Sequence, residues 1–394
     1  MRKHIEILHP QDCCGCTACM SICPKQCIRM QSDALGFQYP KVDTSLCIEC
    51  GLCEGVCPFA HSEAPLQPKS SYAATNQNIE ERLKSSSGGI FLKIAQVVIK
   101  EGGIVFGAVF DVNWNVKHVA AYSMDDVRNM MGSKYTQSRL DTCYRQAKSF
   151  LTDGKRVLFT GTPCQIAGLK HFLRKEYTNL ICIEVICHGV PAPLSWQKSI
   201  RETKQSIMVS DSKNYLLKSA SFRDKRKGWR NFGLSYLFAD CNGLDGEVEV
   251  YESFQKNSFM QAFLNNWSLR PSCYNCKAKN GQSHADLTIG DFWGIEHVGG
   301  IDDDDKGISC LICRTQKGEQ TIKEVSGLEL ISVEYESALH QNKSIECSVD
   351  ASSQARFFKI VIGFLSLHKT MELMNKVHIV FRLINFIERR FKKQ

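Results

Sequence analysis

The sequence predicts a mixed α+β and α/β chain: a small cysteine-rich N-terminal module, a larger α/β core and a basic helical tail. Three observations carry this reading. Two cysteine runs fall before residue 60, strand-like and helix-like apolar segments alternate from about residue 85, and the positive charge collects at the C-terminal end. At 394 residues the chain has room for two or three domains of the usual ~100–200 residues each. An apolar share of 43% and a charged share of 23% describe an ordinary globular composition, so disorder is not the default.

Twenty cysteines are far more than packing needs. The opening MRKHIEILHPQDCC has no apolar run of leader length, and no stretch of about 18 uncharged apolar residues occurs. A cytoplasmic location is therefore expected, where clustered cysteines serve metal or redox sites rather than disulfides. The first run is Cys13-x2-Cys16-x2-Cys19-x3-Cys23-Pro24, and Cys47-x2-Cys50-x2-Cys53-x3-Cys57-Pro58 repeats it. This is the bacterial two-cluster ferredoxin spacing, in which the fourth cysteine of each run ligates the other cluster. The crossed assignment gives Cys13, Cys16, Cys19 and Cys57 to one [4Fe–4S] cluster, and Cys47, Cys50, Cys53 and Cys23 to the second. Two-residue gaps curl the backbone so that thiolates and amide N–H groups converge, and each proline fixes φ at the end of the turn. Paired C-x2-C motifs also bind zinc, but eight cysteines in a doubled run favour iron–sulfur clusters. Cys14 and Cys27 lie outside the pattern and read as packing residues. Residues 1–62 thus form a ferredoxin-like domain, and the polar, Pro-containing residues 63–75 a linker.

The core is expected over 76–350. SSSGGIFLKIAQVVIKEGG (85–103) reads as a Gly-preceded helix, IVFGAVFD (104–111) as a strand, KRVLFTGTPCQIAGLKHFLRK (155–175) as strand, turn and helix, and NLICIEVICHG (179–189) as a buried strand. Such alternation predicts some parallel pairing, and ligands gather beyond the carboxyl ends of parallel strands. Cys164 opens a helix there and Cys187 ends a strand there. Cys310 and Cys313, three apart in GISCLICRT, point to opposite faces of a strand and are not a ligand pair. Cys273 and Cys276 in RPSCYNCK form one further C-x2-C. On position and spacing, Cys164, Cys187, Cys273 and Cys276 make either a third cluster site, catalytic thiols, or buried apolar cysteines.

The motifs SSSGG (85–89), GSKYTQS (132–138), TGTPCQIAGL (160–169), ICHGVP (186–191), RPSCYNCK (270–277) and DLTIGDFWGI (286–295) resemble, in order, the family of coenzyme F420 hydrogenase/dehydrogenase beta subunits over about residues 70–330. The resemblance implies an iron–sulfur flavoprotein with FAD in the core and a third [4Fe–4S] cluster held by Cys164, Cys187, Cys273 and Cys276. For FAD, Ser87, Gly88 and Gly89 precede a helix whose free N–H groups suit a phosphate. Lys134 and Tyr135 in GSKY and Asp291 in GDFWG are further FAD-contact candidates, although these residues also suit a turn and a core. His188, beside Cys187, is a candidate proton donor or cluster hydrogen-bond partner, with a buried structural histidine as the alternative.

Residues 351–394 form the expected tail. Over 355–394 nine Lys/Arg face two Glu, so seven of the net eight positive charges lie there. The nearly neutral remainder gives no argument for nucleic acid. Val377, Val380, Phe381, Ile384, Ile387 and Phe391 recur at helical spacing with basic residues opposite. That pattern fits a helix lying on the inner face of a membrane, docking a partner subunit, or packing on its own domain. Asp302–Asp305 lack calcium-loop spacing and read as a solvated loop. The expected function is an oxidoreductase that passes single electrons from a donor such as ferredoxin through the clusters to FAD. The pair then goes to, or comes from, a small two-electron acceptor, deazaflavin-like or other. The competing reading is a non-catalytic relay subunit of a larger hydrogenase or dehydrogenase complex.

Overall fold

A computed structural model describes residues 4–61, 63–210, 214–240 and 246–377. The N-terminal module holds one antiparallel hairpin, β1 (Ile28–Ser32) and β2 (Gln38–Val42), and two short helices, Ala18–Ile22 and Leu52–Gly55. Each helix follows the second cysteine of its run by two residues. Its preceding residue, Thr17 or Gly51, sits in the left-handed region at φ 65° or 71°. One step earlier, Gly15 (φ 73°) and Glu49 (φ 53°) do the same. The two runs therefore share a backbone path as well as a spacing.

The core carries β3 (Ser70–Asn76), β4 (Ile104–Phe110), β5 (Val116–Ala121), β6 (Ser138–Arg139), β7 (Val157–Gly161) and β8 (Leu180–Val185). It continues through β9 (Tyr215–Asp224), β10 (Gly233–Asp240), β11 (Glu247–Ser253), β12 (Leu287–Asp291), β13 (Ser309–Cys313) and β14 (Leu328–Ser332). Nine of these strands form one mixed sheet in the order β14-β3-β13-β12-β8-β7-β4-β5-β6. Its centre, β12-β8-β7-β4, is parallel, and antiparallel strands extend it on both sides. Parallel strands buried on both faces read as continuous apolar runs, and β7 and β8 do so because helices cover each face. A separate antiparallel sheet, β11-β10-β9, packs with helices Pro193–Ser210 and Ser258–Leu264 around Trp196, Phe222, Tyr236 and Phe259.

Several expectations shift. Residues 70–75, placed in the linker, belong to β3, an inner strand of the large sheet. The expected helix over 85–103 spans Ile90–Lys100, with Ser85–Gly89 as the turn before it. The first part of the tail is core: Ala355, Phe358, Ile362, Leu367, Met371 and Met374 are buried, most of them against the small sheet's cluster. The amphipathic stretch beyond residue 377 lies outside the described residues. Among the described residues no helix is long and apolar enough to cross a membrane. Cys310 and Cys313 enter hydrophobic clusters on opposite faces of β13, as strand alternation requires.

Asp302–Asp305 do not form the expected solvated loop. Asp303 accepts from Arg230, Asp304 pairs with Arg82 and Lys306, and an Asp305 carboxylate oxygen accepts from the Arg230 backbone N–H. The acidic residues clasp basic groups that lie 73 to 222 positions away in sequence, which local spacing could not reveal.

The N-terminal module is seated on the core. A Cβ on Gly168, in helix Pro163–Leu173, would lie 2.8 Å from Cys16 Sγ, so only glycine permits that approach. Arg145 donates to the carbonyls of Met20 and Ser21, satisfying backbone at the end of helix Ala18–Ile22.

Candidate functional site

The cysteines fall into three sets of four. Cys13, Cys16, Cys19 and Cys57 line one small cavity, and Cys23, Cys47, Cys50 and Cys53 line a second. Each set takes three cysteines from one run and one from the other, because the chain turns back through the β1–β2 hairpin between them. Backbone N–H groups donate to their sulfurs: Gly15 to Cys13 (3.3 Å), Glu49 to Cys47 (3.4 Å) and Ile5 to Cys53 (3.2 Å). The left-handed turns at Gly15 and Glu49 aim two of these donors. Amide donors around thiolate sulfur are what an iron–sulfur cluster requires of its protein, since they help set its potential. The donor sets therefore fit two clusters. Among the described residues, no three His, Cys, Asp or Glu side chains close around a point as a single ion would need.

The third set is assembled from distant points. Cys164 is the second residue of helix Pro163–Leu173, whose capping box joins Thr162 and Gln165. Cys187 follows the end of β8, and Cys273 and Cys276 belong to the turn Pro271–Asn275 and its cap. The Val190 N–H donates to Cys273 Sγ at 3.3 Å, tying that turn to the loop after β8. Burial is the largest cause raising the thiols of Cys187, Cys273 and Cys276, to about 11 for Cys273 and about 12 for Cys276. Charges of other members of the same four add to the rise in each case. Thiols held so far above neutrality are not activated nucleophiles. Cys14, expected only to pack, is in hydrogen-bond contact with both Cys16 and Cys164 and so joins the first set to the third.

Beyond the carboxyl ends of the central strands lies a cavity of about 630 Å³, within the range of cofactor sites. Cys14, Cys164 and Cys187 form part of its wall. Five of the six FAD-contact candidates line it: Ser87, Gly89, Lys134, Tyr135 and Asp291. Gly88 does not. Its N–H donates to Ser309 Oγ, and a Cβ there would meet the Ala74 carbonyl at 2.3 Å, so this glycine serves strand packing. The Lys134 ammonium donates to the carbonyls of Met130, Met131 and Gly132, closing the end of helix Met124–Met130. Burial pushes its pKa down to about 7. Asp291 accepts from Arg223 and from Trp229 Nε1 (2.8 Å), and Arg223 also donates to the Tyr135 hydroxyl (3.3 Å). His188 Nε2 meets Asn266 Oδ1 at 2.5 Å, and burial lowers its pKa.

Sequence reasoning missed Arg223 and Arg230, both on the cavity wall. The alternation of basic and aromatic residues in FRDKRKGWR, at the end of β9, was the available signal. It also missed His118, which is buried in the same wall between the Ser138 hydroxyl (2.6 Å) and the Thr160 carbonyl (2.9 Å).

Cysteines in ferredoxin array on a mixed α/β core, leading to a cofactor-sized cavity, define an iron–sulfur electron-transfer protein. Residues 12–61 match the 4Fe-4S dicluster domain, and residues 154–337 match the C terminus of the coenzyme F420 hydrogenase/dehydrogenase beta subunit. The chain belongs to this family of beta subunits, with a dicluster domain in front. Among curated relatives, the F component of the F(420)H(2) dehydrogenase of Methanosarcina mazei is 24% identical over 48% of this chain and 58% of its own length. Coenzyme F420-dependent sulfite reductase of Methanocaldococcus jannaschii is 23% identical over 86% of this chain and 50% of its own. The chain thus spans between half and three fifths of these two relatives. A 7Fe ferredoxin of Hydrogenibacillus schlegelii is 34% identical over 16% of this chain and 76% of its own. A polypeptide of the F420-reducing [NiFe] hydrogenase complex from Methanosarcina barkeri superposes at a TM-score of 0.44 with 15% identity, over 80% of this chain and 94% of that one.

Proposed function

We propose that the protein is an iron–sulfur flavoenzyme. Its two N-terminal [4Fe–4S] clusters and a third, held by Cys164, Cys187, Cys273 and Cys276, exchange single electrons with FAD in the central cavity, and FAD exchanges an electron pair with a small acceptor. The observation that carries this reading is the order of the cysteine sets. Cys50 is exposed, the set containing Cys16 is buried against helix Pro163–Leu173, and Cys14 links that set to Cys164 on the cavity wall. A graded path from surface to cavity suits a relay.

The clusters supply one-electron chemistry, and FAD converts between one- and two-electron chemistry when bound. The chain's residues position and insulate. Gly89 caps helix Ile90–Lys100 in the left-handed region, leaving that helix's N-terminus toward the cavity for a phosphate. The Ser133 N–H and hydroxyl both bond to Ser86 Oγ, joining the two loops that would hold it. His188 keeps one ring nitrogen committed to Asn266, which fixes its orientation beside Cys187. Arg223, Arg230, Lys134 and Tyr135 give the remaining wall a cationic and aromatic character.

The test is anaerobic. The purified chain, loaded with iron, sulfide and FAD, is reduced through ferredoxin, and flavin absorption is followed with and without a two-electron acceptor such as a deazaflavin. The reading expects flavin bleaching through the clusters and reoxidation by an acceptor. Reduction of clusters without flavin bleaching overturns it. Turnover only after a partner subunit is added favours the relay-subunit alternative, which the name of the Methanosarcina mazei relative also suggests.

A further inference from the structure

Arg270 is buried to 1% exposure, yet no carboxylate among the described residues pairs with it. Its Nε–H donates to the Cys13 carbonyl (2.9 Å), Nη2 to the Gln38 carbonyl (2.9 Å) and Nη1 to Gln137 Oε1 (3.2 Å). The guanidinium also lies 4.2 Å from the Tyr39 ring centre and 5.4 Å from that of Phe37. These contacts satisfy its donors and offer it dipoles and π faces, but none carries a negative charge. A guanidinium does not shed its proton, so burial cannot neutralise it as it would a lysine. A buried charge without a counter-charge is strongly unfavourable.

Two groups of cysteines feel this charge. Arg270 hydrogen-bonds the Cys13 thiol and lowers its pKa, and its charge also favours ionisation of Cys164 and Cys273. It stands three residues before Cys273 while reaching across to β2 and to Cys13, so it lies between the first set and the third. Gln137 holds the fork from the cavity side, and its Oε1 also accepts from the Gln38 N–H at 2.9 Å. Bare Gly15 makes room, since a Cβ there would lie 2.5 Å from Gln137 Nε2 and 3.2 Å from Arg270 Nη1.

We infer that Arg270 is the shared counter-ion of the two cysteine sets on either side of it, a positioning residue whose fixed charge favours the reduced state of the clusters they hold. This rests on the iron–sulfur reading of both sets. A cluster gains one negative charge on reduction, so a buried cation between two clusters raises both potentials, and the set containing Cys50, farther along the module, feels it least. A residue that only pins the module to the core would leave potentials alone.

The experiment is a potentiometric titration of the full, anaerobically loaded chain followed by electron paramagnetic resonance, with iron counted first. Arg270→Gln removes the charge. Gln137→Glu, of the same shape, keeps the arginine but places a carboxylate against it. Both should lower the reduced-to-oxidised ratio of two of the three clusters about tenfold at fixed potential, a shift of about 59 mV for a one-electron couple. The third cluster should hold its value, and Arg270→Lys should stay within about threefold of the native protein. The inference is overturned if either loaded variant leaves all ratios unchanged or shifts all three alike, or if Arg270→Lys falls as far as Arg270→Gln. Should Arg270→Gln fail to retain iron, Gln137→Glu decides. A native chain holding fewer than three clusters overturns the iron–sulfur reading instead, so the two failures are distinct.

Discussion

Asp291 separates two accounts of the cavity. The motif GDFWG suggests that its carboxylate touches FAD, whereas its contacts assign it to Arg223 and Trp229. Replacing Asp291 with Ala strands Arg223, whose side chain is 2% exposed against 15% for Asp291. Arg223 would keep the Tyr135 hydroxyl and the face of Phe232, 4.1 Å from its carbon, but no counter-ion. Removing one member of a buried pair costs about 3–5 kcal/mol. For a folding unit of ~150–250 residues that is a fall in midpoint of roughly 6–20 °C. Thermal unfolding followed by circular dichroism, at matched cluster and flavin content, reads it directly. Replacing both partners, Arg223→Met with Asp291→Leu, should restore most of the loss, because an apolar pair of similar volume is often neutral or better. If Asp291→Ala releases flavin while the midpoint holds, the carboxylate serves the cofactor and the pairing argument fails.

Cys57→Ser should cost the cluster of Cys13, Cys16 and Cys19 and spare the one held by Cys47, Cys50 and Cys53; selective loss of the latter would overturn the crossed grouping. Cys273→Ser with Cys276→Ser should lower iron from about twelve to about eight per chain, four per cluster, and unchanged iron would rule out the third set. His118 gives a pH dependence. A carbonyl only accepts, so Nε2 carries the proton toward Thr160 and Nδ1 accepts from Ser138; burial, the main cause, lowers the pKa from 6.5 to about 4. The unfolded chain therefore binds more protons between those values. The stability of the neutral ring is fully present above 6.5 and is lost as pH falls toward 4, by at most about 1.4 kcal/mol per unit. Relative to His118→Gln, denaturation midpoints of the native protein should drop between pH 7 and pH 5, and parallel curves would contradict this.

The cysteine runs were legible because their geometry is local: three two- or three-residue gaps and a proline set each path, and the hairpin brings the fourth cysteine across. The strand-end positions of Cys164 and Cys187 were legible too, since a parallel sheet centre follows from alternating strands and helices. The face alternation that separates Cys310 from Cys313 is as local. What could not be read was pairing at long range. Arg270 looks like one more basic residue until Cys13, Gln38 and Gln137 surround it, 257, 232 and 133 positions away. The acidic run Asp302–Asp305 reads as solvated because its partners Arg82 and Arg230 lie on other segments. Gly88 and Gly89 are neighbours with identical side chains, and only the approach of Ala74 and Ser309 distinguishes the packing glycine from the helix cap.

The central claim, that three cysteine sets lead electrons to a flavin, is tested most directly by counting iron, acid-labile sulfide and flavin in the anaerobically purified, reconstituted full chain. The account predicts about twelve iron and twelve sulfide per chain, four of each per cluster, with one FAD. About eight iron, or a full complement of iron without flavin, would contradict it.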